Sequence, residues 1–152
     1  MARNGNKPVY SYEIYIAAPP ERVWQGLIDG DFTQKYVYGT RFESQLKKGA
    51  AYAYLGEGGF KVVDGEILDV EPSSRLVMTW RAHWDESTKD DRASRVTLQL
   101  SPAVGKTTKL RVVHDDFDSD ESATYKGSVD GWPLMLSSLK TLLESGKLLP
   151  SQ

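Results

Sequence analysis

From residue 60 to residue 84 the chain reads FKVVDGEILDVEPSSRLVMTWRAHW, which is two strand-like runs around a single turn. β-Branched, aromatic and other apolar residues dominate the runs 60–71 and 75–84, and residues 72–74 (PSS) separate them. Residue types of the first kind favour a pleated, half-buried surface, whereas proline and serine favour turns. The stretch therefore predicts two consecutive strands of an antiparallel sheet.

The segments on either side extend this sheet and add helices. Alternating apolar and polar residues predict four further strands, over residues 9–16, 50–55, 92–100 and 107–114. Between the first two of these, Val23, Trp24 and Leu27 have the spacing of a buried helical face, and Gly30 ends that helix. A second short helix begins at Asp31 and ends at Gly39.

The C-terminal segment predicts one long amphipathic helix. Its apolar residues recur at alternating intervals of four and three, at Tyr125, Val129, Trp132, Leu136, Leu139 and Leu143. Gly146 is of the type that ends helices in a left-handed conformation. Pro133 interrupts the pattern because proline has no N–H to donate to the carbonyl of residue 129. The helix therefore either bends at Pro133 or begins near Asp130.

This order of elements is typical of the α+β class, with helices packed on one face of an antiparallel sheet of about six or seven strands. A length of 152 residues fits one domain. We assign residues 1–8 to a flexible N-terminal arm, 9–147 to a single domain and 148–152 to a short tail. A long helix across a curved sheet commonly leaves a space that a ligand can occupy.

Composition excludes several functional classes. The 19 basic and 21 acidic side chains leave a net charge of −2, so no nucleic-acid partner is predicted. Cysteine is absent, which excludes disulfides, thiol nucleophiles and iron–sulfur clusters. No apolar run approaches the roughly 18 residues needed for a membrane span, and no signal peptide is visible. We expect a cytoplasmic protein.

Two short motifs fail on their context. Residues 105–107 (GKT) resemble the end of a phosphate-binding loop, but Leu100 stands where that motif needs glycine, and strands flank the segment. A hairpin loop is predicted instead. Residues 116–120 (DFDSD) begin like a calcium-binding loop, but Glu121 replaces its glycine. The sequence predicts no metal and no cofactor.

Three titratable residues can each be interpreted either as functional or as structural. His114 follows the inward-facing apolar residues of the last strand, so it is either a polar contact or general base in a pocket, or a structural histidine. Glu66 lies in an apolar strand segment and is either a pocket acid or, as we favour, an exposed side chain. His83 has the opposite phase from Trp80 and is expected to be exposed.

The aromatic residues are the strongest unusual feature. Tyr52 and Tyr54 share one face of a strand, and Trp80 lies on a face of another. Tyrosine and tryptophan are often not fully buried, because their O–H and N–H groups need hydrogen-bond partners. Their convergence favours a lined cavity over a packed aromatic core.

Four segments resemble the family named for the activator of the 90-kDa heat-shock-protein ATPase. They are residues 19–27 (P-x-x-x-V-W-x-x-L), 65–80 (GEILDVEP-x-x-RLVMTW), 113–114 (VH) and 131–144 (GW-x-x-x-L-x-x-LK-x-x-LE), in the family's order. Two departures stand out. Residues 36–38 (YVY) occupy a segment where members often have tryptophan, and Pro133 interrupts the family's last helix.

The resemblance implies membership of the START-related, birch-pollen-allergen-like helix-grip superfamily. In this fold a curved antiparallel sheet wraps the C-terminal helix and encloses an apolar cavity. Superfamily members hold lipids, sterols, polyketides or plant hormones there, and a minority are cyclases or hydrolases. The chain is too short for the separate N-terminal domain of the eukaryotic co-chaperone, so chaperone activation is not implied.

Three functional hypotheses follow. We favour binding of a small hydrophobic or amphipathic molecule without catalysis, with His114 as the polar contact. The predicted cavity lining is Tyr36, Tyr54, Met78, Trp80, Val112, Trp132, Met135 and Leu139. The second hypothesis is a cyclase-like or hydrolase-like enzyme that uses His114 or Glu66 as acid or base. The third is an interaction module, a homodimer or chaperone partner, which predicts an exposed apolar patch.

Overall fold

The computed structural model describes residues 7–150, which form a seven-stranded antiparallel sheet and three α-helices. The strands are β1 (Tyr10–Ile16), β2 (Arg41–Ser44), β3 (Ala51–Leu55), β4 (Lys61–Glu71), β5 (Arg75–Ala82), β6 (Ser94–Pro102) and β7 (Thr108–Asp115). The helices are α1 (Pro20–Ile28), α2 (Gly30–Tyr36) and α3 (Ala123–Ser145). The predicted α+β helix-grip fold is confirmed. Residues 1–6 of the predicted arm and 151–152 of the predicted tail lie outside the described range.

The sheet order is β1-β7-β6-β5-β4-β3-β2, so β1 and β2 form its two edges. The predicted turn at residues 72–74 joins β4 to β5, with Glu71 opposite Arg75. Close approach of these strands requires Gly65, because a Cβ atom there would lie 2.4 Å from the Thr79 carbonyl oxygen. The Glu66 N–H then donates to Thr79 Oγ1 at 2.9 Å, which locally replaces a ladder bond.

Polar contacts fix α3 to the end of β1. Lys140 Nζ donates to the Tyr15 carbonyl at 2.8 Å, and Glu144 Oε2 accepts from the Ala17 N–H at 2.7 Å. Lys140 and Glu144 also pair with each other at 2.6 Å, one helical turn apart. These contacts give a structural reason for the Lys and Glu at the end of the predicted helix.

A glycine allows α1 to pack closely on α3. A Cβ atom at Gly26 would lie 2.7 Å from Leu139 Cδ1, so a larger residue would push the helices apart. The Gly26 carbonyl also accepts from the Tyr36 hydroxyl at 2.8 Å, which ties α2 to α1. Leu139 is fully buried in this contact.

The structure corrects several sequence expectations about the secondary-structure elements. α2 begins at Gly30, the residue predicted to end α1, and it is capped by Asp29, whose Oδ1 accepts from the Asp31 N–H, so a start at Asp31 is wrong. α3 begins at Ala123, where Ser122 Oγ caps it by accepting from the Tyr125 N–H, so a start near Asp130 is wrong. Pro133 lies inside this helix. The strand predicted over 75–84 ends at Ala82. β2 was not predicted, because Phe42 is its sole apolar residue and gives no periodicity.

Candidate functional site

A pocket of about 300 Å³ lies between the first half of α3 and strands β3 to β5. Its lining is mostly apolar and aromatic, and comprises Val37, Tyr38, Thr40, Tyr54, Val62, Val63, Trp80, Trp84, Gly127, Ser128, Gly131, Trp132 and Met135. This volume is at the lower end of the range for small-molecule sites in proteins.

Small residues on α3 create the space. Gly127, Ser128 and Gly131 lie on one face of the helix, where the periodic pattern elsewhere places large apolar residues. At Gly131 a Cβ atom would lie in ordinary van der Waals contact with Met135 Cε at 3.8 Å and with the Tyr38 hydroxyl at 3.9 Å, so a methyl group would fit there without displacing a neighbour. We call these three small residues of α3 the roof of the pocket. They are the feature of the sequence that indicates where the pocket lies.

The mouth of the pocket carries two aromatic side chains. Tyr38 is 58% exposed and Trp84 is 36% exposed. The Trp84 ring packs against Gly127, where a Cβ atom would lie 2.7 Å from Cζ2. Tyr38 has a φ of 49°, a left-handed conformation that is uncommon for residues other than glycine. The fold thus holds an aromatic ring at the entrance at some conformational cost.

An aromatic row forms the inner wall of the pocket. The ring centroids of Tyr54 and Trp80 are 5.7 Å apart, and those of Trp80 and Trp132 are 5.4 Å apart. These distances are within the range of favourable aromatic pairs. The row presents ring surface from two strands and from α3 to one space.

His114 lies behind this row, and both of its ring nitrogens take part in a chain of hydrogen bonds. Trp132 Nε1 is 3.0 Å from His114 Nδ1, and because indole can only donate, Nδ1 is the acceptor. The proton is then on Nε2, which donates to Ser94 Oγ at 2.7 Å, and Ser94 Oγ donates to the Trp80 carbonyl at 3.2 Å. Burial lowers the pKa of His114 to about 3. The imidazole is therefore neutral at physiological pH, and both of its nitrogens are occupied.

The structure brings together four of the nine predicted site residues at the pocket. Tyr54, Trp80, Trp132 and Met135 line it. The other five lie in the packed interior, with exposed fractions between 0% and 6%: Tyr36, Met78, Val112, His114 and Leu139. Alternation identified inward-facing residues, but it cannot distinguish a packed interior from a lined space.

The two acid–base candidates do not line the pocket. Glu66 is exposed, and His114 is enclosed behind Trp80. His83, predicted to be exposed, is instead half-buried, because its Nε2 lies 2.8 Å from Asp64 Oδ1. Among the described residues, the lining of the pocket thus holds no carboxylate and no histidine.

The motif-like segments have structural positions. Residues 105–107 lie in the loop between β6 and β7, as predicted. Arg92 Nε donates to Asp118 Oδ1 at 3.0 Å, and Arg92 also pairs with Asp116. The guanidinium group of Arg92 therefore binds the acidic turn before α3. Within residues 7–150 no three acidic or histidine side chains are grouped as metal ligands. In the same range no helix is long and apolar enough to cross a membrane.

A family comparison identifies the chain. The model of the family described as "Activator of Hsp90 ATPase homolog 1-like protein" matches residues 17–144. The chain belongs to this family. The matched range includes every residue that lines the pocket. None of the curated proteins matches the chain.

Several solved structures share the fold of this chain. Protein MLL2253 from Mesorhizobium loti is 29% identical, with a TM-score of 0.76, over 93% of this chain and 100% of that chain. The Aha1 dimer from Colwellia psychrerythraea is 22% identical, with a TM-score of 0.72, over 92% of this chain and 98% of that chain. An HSP90 activator from Plasmodium falciparum is 18% identical, with a TM-score of 0.72, over 89% of this chain and 95% of that chain. The last two likenesses establish the fold alone.

Proposed function

We propose that this protein binds a small, predominantly apolar molecule in the pocket beneath the first half of α3. The observation that carries the proposal is the volume of about 300 Å³, lined mostly by apolar and aromatic side chains, between the first half of α3 and strands β3 to β5. Each 100 Å² of apolar ligand surface removed from water contributes about 2.5 kcal/mol before the costs of binding are subtracted. A two-ring aromatic molecule is a suitable probe for a space of this size.

The enzyme hypothesis receives less support from the site. The described lining offers no carboxylate, histidine or lysine, and the buried His114 is held neutral with both nitrogens occupied. General acid–base catalysis needs a titratable group within reach of the substrate. Binding without turnover is therefore the function that these residues favour.

Filling the pocket tests the proposal. Naphthalene binding is measured by equilibrium dialysis for the unaltered protein and for Gly131→Leu, whose side chain would occupy the open space. We expect Gly131→Leu to lose at least tenfold in affinity. Asp130→Leu adds the same side chain at the neighbouring exposed position and should bind like the unaltered protein. Equal affinity in all three proteins, or no binding in any, would contradict the proposal.

A second candidate is docking on a heat-shock ATPase, supported by the family name and by exposed aromatic residues near the pocket mouth. Tyr38, Phe60 and Trp84 are between 36% and 58% exposed, and Phe60 and Trp84 line one surface cleft. Stimulation of a bacterial 90-kDa chaperone's ATPase rate by this protein tests the idea. Phe60→Ala should reduce the stimulation, whereas Val104→Ala, on the distant β6–β7 loop, should not. No stimulation by the unaltered protein would exclude this function for that chaperone.

A further inference from the structure

Most polar groups on the pocket lining already have partners within the protein. Thr40 Oγ1 donates to the Val37 carbonyl at 2.7 Å, and Ser128 Oγ donates to the Thr124 carbonyl at 2.7 Å. Trp132 Nε1 donates to His114. None of these groups has a proton left to offer to a ligand.

Three buried tyrosines differ in how their hydroxyls are satisfied. Tyr36 donates to the Gly26 carbonyl at 2.8 Å, and Tyr52 donates to the Thr79 carbonyl at 2.6 Å. Tyr54 is 7% exposed and lines the pocket, yet its hydroxyl has no partner among residues 7–150. The Tyr54 hydroxyl is not among the fully enclosed unpaired atoms of residues 7–150, so it faces the accessible space of the pocket, where a ligand oxygen can accept its hydrogen bond.

The Trp80 indole supplies ring surface beside Tyr54. Trp80 is 4% exposed, and its Nε1 is enclosed and has no hydrogen-bond partner within the described part of the chain. Its ring lies against that of Tyr54. A phenol hydroxyl donates, so the Tyr54 side of the pocket favours a hydrogen-bond acceptor. Two further donors of the lining have no partner in the described structure, the Tyr38 hydroxyl and the Trp84 indole N–H. Both residues lie at the exposed mouth of the pocket, where water reaches these groups.

Charge narrows the ligand class further. The described lining holds no lysine, arginine or histidine. A carboxylate or phosphate would therefore lose its hydration without gaining a counter-charge, which is costly. A neutral oxygen acceptor avoids this cost.

From these contacts we infer that the ligand is a neutral aromatic molecule with one oxygen acceptor, and that the Tyr54 hydroxyl donates to that oxygen. The inference rests on the proposed function and specifies its chemistry. The aromatic row of Tyr54, Trp80 and Trp132 binds the rings, and the unpaired donor selects a ketone, ester or ether over the bare hydrocarbon.

Three matched probes test the ligand class: naphthalene, 2-acetylnaphthalene and 2-naphthoate at neutral pH. For the unaltered protein, 2-acetylnaphthalene should bind about three- to tenfold more tightly than naphthalene, which is the usual worth of one neutral hydrogen bond. The anionic 2-naphthoate should bind more weakly than both. Equilibrium dialysis measures all three under the same conditions.

A pair of variants on one strand tests the residue. Tyr54→Phe should lose most of the preference for 2-acetylnaphthalene while it keeps its affinity for naphthalene. Tyr52→Phe removes a hydroxyl two positions away that is already bonded to Thr79, so it should keep the preference. The comparison separates a contact with the ligand from a general effect of losing a hydroxyl.

Each contrary outcome has a distinct meaning. A preference that persists in Tyr54→Phe would overturn the role of Tyr54. Equal binding of the first two probes to the unaltered protein would overturn the acceptor preference, and tightest binding of 2-naphthoate would overturn the neutral class. In these cases the proposed function stands. Failure of all three probes to bind would overturn the proposed function together with the inference.

Discussion

The two halves of α3 cover the same sheet but leave different amounts of space beneath them. In the second half, Leu136, Leu139 and Leu142 are buried against the sheet and α1. In the first half, Gly127 and Gly131 leave a pocket of about 300 Å³. Large side chains at helical spacing exclude space, whereas small ones at the same spacing create it. One helix thus stabilises the fold at one end and forms a candidate binding site at the other.

A hydrogen-bond chain behind the pocket holds one of its walls. Trp132 presents its ring to the pocket and its N–H to His114, which lies in the packed interior next to Phe117. Fixing the indole N–H fixes the ring, so the pocket wall is held in one orientation before any ligand arrives. Such pre-organisation reduces the cost of ordering on binding.

The largest difference between the two regions is expected in core truncations. Leu139→Ala should lower the free energy of unfolding by about 3–5 kcal/mol, because it leaves a cavity in a packed interior. Met135→Ala lies one turn earlier and only enlarges an existing space, so its cost should be less than half as large. Chemical denaturation measures both values. Equal costs would show that the space near Met135 closes up in solution.

The pH dependence of stability should report the His114 chain. Its folded-state pKa of about 3 lies below the ordinary value of 6.5, so between these values the unfolded chain binds a proton that the folded chain does not. The stabilisation is complete above pH 6.5 and declines as the pH falls toward 3. The free energy of unfolding should therefore decrease by about 2 kcal/mol between pH 6.5 and about pH 5.

Two glutamine variants isolate this effect. His114→Gln should be less stable at neutral pH but should lose most of the slope between pH 6.5 and about pH 5. His83→Gln changes the half-buried histidine beside Asp64 and should keep the slope. An unchanged slope in His114→Gln would mean that His114 is not the buried neutral group described above.

Tyr52 and Tyr54, which lie on the same face of β3, should differ in how much each hydroxyl contributes to the stability of the unliganded protein. Tyr52→Phe removes a satisfied hydroxyl and leaves the Thr79 carbonyl without that donor, so it should cost about 1 kcal/mol. Tyr54→Phe removes a hydroxyl that has no partner in the described structure and should cost close to nothing. A thermal denaturation series resolves the two. A larger loss for Tyr54→Phe would contradict the assignment of its hydroxyl as unpaired.

Small stabilising effects are expected at the two glycines of α3 that line the pocket. Gly131→Ala places a methyl group at ordinary contact distance from Met135 and Tyr38 and improves helix propensity, so it should stabilise the protein by about 0.5–1 kcal/mol. Gly127→Ala must displace the Trp84 ring and should gain less, with a change in tryptophan emission. Equal stabilisation without a spectral change would mean that Trp84 does not pack on α3.

Hydrophobic pattern predicted most of the fold, because each strand and helix with a full apolar face has a visible period. β2 was missed because four residues with one apolar side chain have none. The continuity of α3 through Pro133 also could not be predicted, since packing on both sides of the proline outweighs the missing hydrogen bond. Local sequence does not contain that tertiary contribution.

The candidate site was only partly predictable. Trp80 and Trp132 were expected at the cavity and do line it, whereas Met78 and Val112 point into the same interior but are fully packed. Distinguishing these cases needs the distance between helix and sheet at each position, which the periodicity of the sequence does not contain. The small residues on α3, together with the aromatic residues on β3 and β5, are the feature of the sequence that indicates the position of the pocket.

The four tryptophans allow the most direct test of binding beneath the first half of α3. Trp80, Trp84 and Trp132 line the pocket, whereas Trp24 lies on α1 in the packed region. Nuclear magnetic resonance spectra of the indole N–H groups are recorded during titration with 2-acetylnaphthalene. We predict progressive, saturable shifts of the three pocket signals and a Trp24 signal that stays in place. Four unmoved signals, or a shift confined to Trp24, would contradict this prediction.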